Sequence, residues 1–299
     1  MINKLEMLIA LAQERHFGRA AESLSITQPT LSAGIRQLEE HLGVKLVERG
    51  SRYGGLTPEG QRALVMARRI VGDSRRLRDE MRAKRDGLTG QLRLAVIPTA
   101  LTWASHLVAD LNARHPGIGA SVRSASSQTV LTLLENLEID AGISYLDNEP
   151  LGRVSTVELY RETYRLVCHR SHPLSARAHV TWAEVAGQQL CLLTPEMQNR
   201  RIINRNLHAA GPEPEARPYA EIEANSTVVL ASMVMRGDWV TVLPGDLADF
   251  LVAGKPMAAV PISGAPLAYT VGLITEYQEP HTPVLDALMT EAARISRLQ

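Results

Sequence analysis

Thr27-Gln28-Pro29-Thr30-Leu31-Ser32-Ala33-Gly34-Ile35-Arg36-Gln37-Leu38 is the stretch from which the rest of the chain can be placed. Thr27 is a good helix N-cap, and Pro29 falls in the first turn, where a missing N–H costs nothing. Leu31, Ile35, Leu38 and Leu42 then step by four, three and four along one buried face. This predicts a helix to about His41, ended by Leu42-Gly43. The opposite face carries Pro29, Ala33 and Arg36, flanked by Thr30, Ser32 and Gln37, with Gln28 at the N-terminal tip. That surface is small, polar and donor-rich, and narrow enough to enter a DNA major groove. Gln and Arg make bidentate contacts to base edges, each worth roughly 1–3 kcal/mol of discrimination. Ser, Thr and the helix start suit phosphates, which position a protein without reading sequence. Glu40 points outward too, near the helix end, where it would clear the groove. A helical hairpin with a solvated polar face has the same spacing, and the pattern alone leaves both readings open.

Upstream, Ile2, Leu5, Leu8, Ile9 and Ala12 show helical periodicity over residues 2–14, and Arg19 to Leu24 form a second short helix carrying Ala20-Ala21. Downstream, Leu46 to Thr57, with Gly50, Gly54 and Gly55, predicts a short two-stranded wing. Its Arg49 and Arg52 are suited to grip phosphates or a minor groove. Thr57-Pro58-Glu59-Gly60 opens a long helix with no breaker until Gly87 apart from Gly72. Along it Ala63, Ala67, Ile70, Ser74, Leu77 and Met81 form a heptad seam. Arg62, Arg68, Arg69, Arg75, Arg76, Arg78, Arg82, Lys84 and Arg85 crowd its outward faces. A seam this narrow is naturally buried by a second copy of the helix, which predicts a dimer; a helix lying on its own domain is the alternative.

With 299 residues, 45% apolar and 21% charged, the chain can build proper cores and is too long for one ordinary domain. No apolar run approaches the roughly eighteen residues that span a bilayer. The start, Met1-Ile2-Asn3-Lys4-Leu5-Glu6, carries an acid, unlike a signal peptide. These features predict a cytoplasmic protein with no membrane partner. The chain as a whole balances at 32 basic and 32 acidic residues, but the halves separate. Residues 1–87 hold 16 Lys and Arg against 11 Asp and Glu, net +5; residues 88–299 hold 16 against 21, net −5. Either the first part meets a polyanion and the second does not, or the imbalance is ordinary surface variation.

Gly87-Leu88-Thr89-Gly90 reads as a hinge, after which strands and helices alternate. Strands are predicted at 91–97, 118–124, 139–144, 163–169, 189–193, 219–222, 239–243 and 269–275. Helices are predicted at 101–114, 129–137, 198–210, 226–236 and 283–297. The alternation predicts an α/β fold of open parallel sheets with helices on both faces, whose ligands sit beyond the carboxyl ends of the strands. Two hundred such residues suffice for two small lobes with a cleft between them.

Phe17-Gly18-Arg19-Ala20-Ala21-Glu22-Ser23-Leu24, Thr27 to Ser32 and Ile35-Arg36-Gln37-Leu38-Glu39 together resemble the DNA-binding domain of LysR-type transcriptional regulators. The likeness continues through Leu42-Gly43-Val44-Lys45-Leu46-Val47-Glu48-Arg49 and Leu56-Thr57-Pro58-Glu59-Gly60. Val47 departs from it, since the family usually has Phe there. The resemblance implies an all-α winged helix-turn-helix over residues 1–58, a dimerising linker helix over 59–87, a hinge at 88–90 and a periplasmic-binding-protein-like effector domain over 91–299. In the last, lobe I would take about 91–161 and 268–299, and lobe II about 162–267. It also implies double-stranded DNA as partner, tetramers assembled from two dimers, and RNA polymerase as a further partner.

A weaker resemblance covers the rest, through Leu92–Thr99, Ile139-Asp140-Ala141-Gly142-Ile143 and Val229–Pro244. Family ligands lie between the lobes, held by loops and helix starts. That places effector contacts at Thr99 and Ala100, at Ser127, Gln128 and Thr129, at Gln198, Asn199 and Arg200, and at Asn225 and Ser226. Hydroxyls, amides and free N–H groups make an anion site without a fixed charge, and Arg200 or Arg201 would add a clamp on a carboxylate. A plain N-cap explains each Ser, Thr or Asn taken singly. Residues 134–143, 145–152 and 192–201 further resemble a subgroup found beside formate dehydrogenase operons, which makes formate a candidate effector.

No GxGxxG, P-loop, GxSxG or HExxH motif occurs. His169 and His172 sit beside Pro173 without a third ligand, so no metal, catalytic residue or cofactor is expected. Cys168 and Cys191 lie in apolar strand contexts without a neighbouring basic pair, as buried structural thiols do. Two other classes remain: a ligand-independent DNA-binding regulator acting by oligomerisation, and a solute-binding protein, which would want a signal peptide.

Overall fold

A computed structural model describes residues 1–48, 53–86, 88–147, 151–211, 220–264, 269–277 and 281–297. The chain divides into two compact units, Met1–Gly87 with Asn136–Glu138, and the remainder. In the first unit lie α1 (Ile2–Glu14), α2 (Phe17–Ser23), α3 (Gln28–Leu42) and α4 (Pro58–Asp86). Helix α2 begins two residues before the expected Arg19, because the His16 ring accepts from the backbone N–H of Gly18 and Arg19 at 3.1 and 3.3 Å. Helix α3 starts as the sequence predicts: Thr27 Oγ1 accepts from Thr30 N, and Gly43 closes the helix at φ 72°.

The core of this unit is Leu8, Leu11, Ala20, Leu31, Ile35, Leu38, Leu46 and Ala67 with their neighbours. Each fully buried leucine contributes about 1.5–3 kcal/mol. Leu42, expected on the buried face, is 44% exposed, because α3 has by then run past the core. Beyond α3 the wing shows one bridge, Val47 to Leu56, with Glu48 N donating to Gly55 O at 3.0 Å. Arg49 and Arg52 lie outside the described residues.

The heptad seam of α4 divides. Ala67 and Val71 are buried and Ala63 half-buried against the unit's own core, so the first part of the helix does lie on its own domain. Met66, Ile70, Leu77 and Met81 remain exposed on the other side. Arg68, expected on an outward face, donates instead to Asn136 and Glu138 within the unit.

In the second unit the order is β1 (Gly90–Val96), a 3-10 turn (Pro98–Ala100), α5 (Leu101–Arg114), β2 (Ile118–Ser124), α6 (Ser127–Glu135), β3 (Ala141–Tyr145) and β4 (Val154–Glu162). The chain then crosses at Thr163 into β5 (Tyr164–His169), β6 (Val180–Thr181), α7 (Trp182–Ala186), β7 (Leu190–Leu193), α8 (Gln198–Ala210), β8 (Ala220–Ala224), α9 (Thr227–Val234), β9 (Thr241–Pro244), α10 (Gly245–Val252) and β10 (Met257–Ser263). It returns as β11 (Tyr269–Glu276) and α11 (Pro283–Ser296). Lobe I is the sheet β2-β1-β3-β11-β4; lobe II holds β6-β10-β5-β9 and the pair β7-β8.

The sheets are mixed rather than wholly parallel. β11 runs against both β3 and β4, and β5 runs against β9 and β10. Strands β4, β6 and β10 and helices α7 and α10 were not expected. β10 carries Pro261, which has no N–H for a ladder. β4 buries only Leu159 and Glu162, so its apolar signal is faint. Helix α6 starts at Ser127 rather than Thr129, with Ser126 Oγ accepting from Thr129 N at 3.2 Å.

Candidate nucleic-acid interface and effector cleft

On α3 the packing of Leu31, Ile35 and Leu38 inward leaves Gln28, Pro29, Thr30, Ala33, Arg36 and Gln37 exposed and Ser32 partly so. Gly34 is buried, and a Cβ there would meet the Met7 thioether of α1. The close approach of α1 thus sets which face of α3 turns outward. Thr27 and Thr30 share a hydroxyl–hydroxyl bond of 2.8 Å, while Arg36 donates through Nε to the Ser32 carbonyl at 3.3 Å and, among the described residues, has most of its guanidinium left for a ligand.

One acid that sequence reasoning passed over secures this arrangement. Glu39 is buried on α3 and accepts from Leu46 N at 2.9 Å, Val47 N at 3.3 Å and Lys45 Nζ at 2.9 Å. Burial alone would raise its pKa, but the Lys45 ammonium and the two amides outweigh that and hold the carboxyl below its ordinary value. The entry to the wing is thereby tied to α3. The only sequence signal was an acid next to Leu38, at the edge of the buried face of α3.

The second site follows from strand directions. β1, β2 and β3 are parallel, and β4 and β3 both run against β11, so the carboxyl ends of all four lie together at the crossover. In lobe II β8 and β7 are parallel, a bridge from Leu190 to Val240 sets β9 parallel to them, and Pro244 of β9 pairs with Tyr164. The carboxyl ends of β7, β8 and β9 therefore face the same crossover. Thr99 and Ala100, Ser127, Asn199, and Asn225 with Ser226 all follow strands that end there.

Thr99, Ala100, Ser127, Gln198, Asn199 and Arg200 are buried; Gln128, Thr129 and Asn225 are exposed and Ser226 is intermediate. Thr99 Oγ1 and both amide atoms of Asn199 are buried with no hydrogen-bond partner among the described residues. The starts of α5, α8 and α9 lack side-chain caps, whereas α6 has Ser126. Arg200 is otherwise engaged: its Nη1 donates to Leu193 O at 2.8 Å and Glu223 Oε1 at 2.9 Å, and its Nε to Asn204 at 2.8 Å. It braces β7 and β8 to α8, and only part of the guanidinium is left for a ligand. Arg201 bonds Gln198 Oε1 at 2.6 Å and the Glu196 carbonyl at 3.0 Å.

Comparison with known proteins agrees with both halves. Residues 2–61 match the bacterial regulatory helix-turn-helix of the lysR family, and residues 85–295 match the LysR substrate binding domain. The chain belongs to the LysR family. As a LysR-family member it is a DNA-binding transcriptional regulator with an effector-binding domain, not an enzyme. It is 31% identical over 244 residues to the DNA-binding transcriptional dual regulator OxyR of Escherichia coli, covering 81% of this chain and 78% of the relative. It is 30% identical over 244 residues to the hydrogen peroxide-inducible genes activator of Pectobacterium carotovorum, covering 81% and 79%. A cysteine-to-aspartate variant of full-length OxyR from Pseudomonas aeruginosa superposes with a TM-score of 0.74 at 26% identity, covering 98% of this chain and 94% of that one. Among the described residues no helix is long and apolar enough to cross a membrane.

Proposed function

We propose that this LysR regulator reads its operator through Gln28, Arg36 and Gln37 of α3, with Pro29, Thr30, Ser32 and Ala33 fitting the groove wall. Two copies pair through the exposed Met66, Ile70, Leu77 and Met81 stripe of α4, two dimers form the tetramer, and the assembly acts in the cytoplasm. A small organic anion closes the cleft at the crossover, shifting the lobes between two states for which it has different affinity; the altered DNA geometry changes polymerase access. The observation that carries the effector reading is Asn199, a buried amide with neither end satisfied among the described residues, at the uncapped start of α8. Leaving such groups unpaired costs about 1–3 kcal/mol each, which a carboxylate accepting from Nδ2 and from helix N–H groups relieves.

The peroxide response named in the Pectobacterium relative is not carried over. Burial pushes the Cys168 and Cys191 thiols up to about 11 and about 12. At neutral pH the thiolate that would react with peroxide is therefore roughly one part in ten thousand or fewer.

The test is a footprint on the DNA upstream of the protein's own gene, with and without millimolar formate, acetate and related carboxylates. A protected region that contracts or shifts its hypersensitive sites with one anion supports the reading; indifference to all of them favours a ligand-independent regulator. Arg36→Ala should weaken specific binding by roughly 5- to 150-fold while barely altering non-specific binding, and equal losses on both would remove its base-reading role. Asn199→Ala should leave the unliganded footprint intact and weaken the response to the active anion at least about tenfold. An unchanged midpoint would place the ligand elsewhere.

A further inference from the structure

The crossover holds a carboxyl group that an anion-binding cleft would not be expected to tolerate. Glu162, the last residue of β4, is only 2% exposed. Tyr145 at the end of β3 donates to its Oε2 at 2.8 Å, Tyr164 at the start of β5 donates to the same oxygen at 3.3 Å, and Tyr160 of β4 reaches Oε1 at 3.5 Å. Asp246 at the start of α10 adds a second negative charge facing the cluster. The nest is closed by aromatic walls: Trp103 lies 6.2 Å from Tyr160, and Trp182 and Tyr269 lie 6.2 and 6.3 Å from Tyr164. Thr99, whose hydroxyl is otherwise unpartnered, lies beside the Tyr145 hydroxyl. A chain of hydroxyls thus leads from a cleft residue to the buried acid, and no cation is seen to pair with that acid among the described residues.

We propose that Glu162 is the specificity-determining floor of the effector cleft: it must hold a proton for an anion to settle against Thr99, so that anion binding takes up one proton from solvent. The proposal rests on the anion-effector reading above. An ionised Glu162 draws the Tyr145 hydroxyl toward itself and repels a second negative charge nearby. The protonated acid is neutral, and Tyr145 and Thr99 are then released to donate toward the ligand. Burial supports the assignment by pushing the Glu162 carboxyl up to about 7, against three tyrosine donors that pull it down, so the proton is gained and lost near neutrality.

The experiment uses the full chain and the tryptophans already in place. Fluorescence of wild type should show a transition centred near pH 7, because Trp103 and Trp182 abut the tyrosines that bind Glu162. Glu162→Gln should abolish it, and Tyr145→Phe, which removes the shortest donor to the ionised form, should move it to higher pH. Formate and acetate are fully ionised across this range, so a slope in their binding cannot be their own. In wild type their affinity should fall tenfold per pH unit above the transition and stay flat in Glu162→Gln. A transition that survives in Glu162→Gln, or anion binding in wild type that ignores pH, overturns the proposal. No anion binding at any pH, with the Glu162-dependent transition intact, overturns the effector reading itself and the coupling with it.

Discussion

Gly60→Ala should unfold the DNA-binding unit well before the rest of the protein. Gly60 is the third residue of α4, and a Cβ there would run into the backbone carbonyl of Leu46, a group already fixed by accepting from Thr57 N at 3.0 Å. No side chain can move aside, because both partners are main chain. The helix start must shift, which also strains the cap in which Gly60 N donates to Thr57 Oγ1 at 2.9 Å. Overpacking and cap loss together predict about 2–4 kcal/mol of destabilisation. Amide exchange across α1–α3 should accelerate by roughly the corresponding 30- to 1000-fold, with exchange in lobe II unchanged. A substitution that leaves α1–α3 protection at its wild-type level would show that α4 is not seated on Leu46.

Glu39→Ala should cost nearly as much by the opposite route, removing an acceptor rather than adding an atom. Two backbone amides, those of Leu46 and Val47, would lose their buried partner, at about 1–3 kcal/mol each. Glu39→Gln, with its oxygen in the place of Oε1, keeps both amide bonds and gives up only the Lys45 pairing, so it should lose much less. Because the folded carboxyl titrates below its ordinary value, its contribution is fully present above about pH 4.5 and disappears as pH falls through the lower folded value. The wild-type unit should accordingly show an acid-induced loss of stability that Glu39→Gln lacks. Specific DNA binding by Glu39→Ala should fall with the exchange protection of the Leu46 and Val47 amides. If binding is lost while those amides remain protected, Glu39 acts at the DNA instead.

The helix-turn-helix was legible because its information is local. Thr27 caps, Pro29 starts and Leu31, Ile35 and Leu38 face one way, so propensity and periodicity agree. The strands β1 and β2 and helices α5, α8 and α11 were legible for the same reason. What escaped was held together by contacts distant in sequence. β10 takes its stability from a central place in its sheet, overriding an internal proline, and β4, an edge strand with a weak apolar pattern, takes its from pairing with β11. The first half of the α4 seam misled, because Ala63 and Ala67 suit both a self-domain contact and a dimer seam, while Ile70, Leu77 and Met81 stay exposed. In the candidate cleft, Asn199 and Thr99 were named from the family resemblance, which looks to loops and helix starts. Glu162 was not: Tyr160 and Tyr164 stand two residues either side of it, but the closest donor, Tyr145, comes from a strand distant in sequence.

The return of β11 to lobe I also orders the making of the molecule. β11 lies between β3 and β4 and joins them, yet it is separated from both by the whole of lobe II. During synthesis the reading head emerges first, and lobe II, one continuous run, can close next. Lobe I must wait with β4 unpaired until β11 leaves the ribosome. A nascent chain therefore gains the means to find DNA long before it gains the means to sense anything, and the finishing strand is what makes it answerable to its signal.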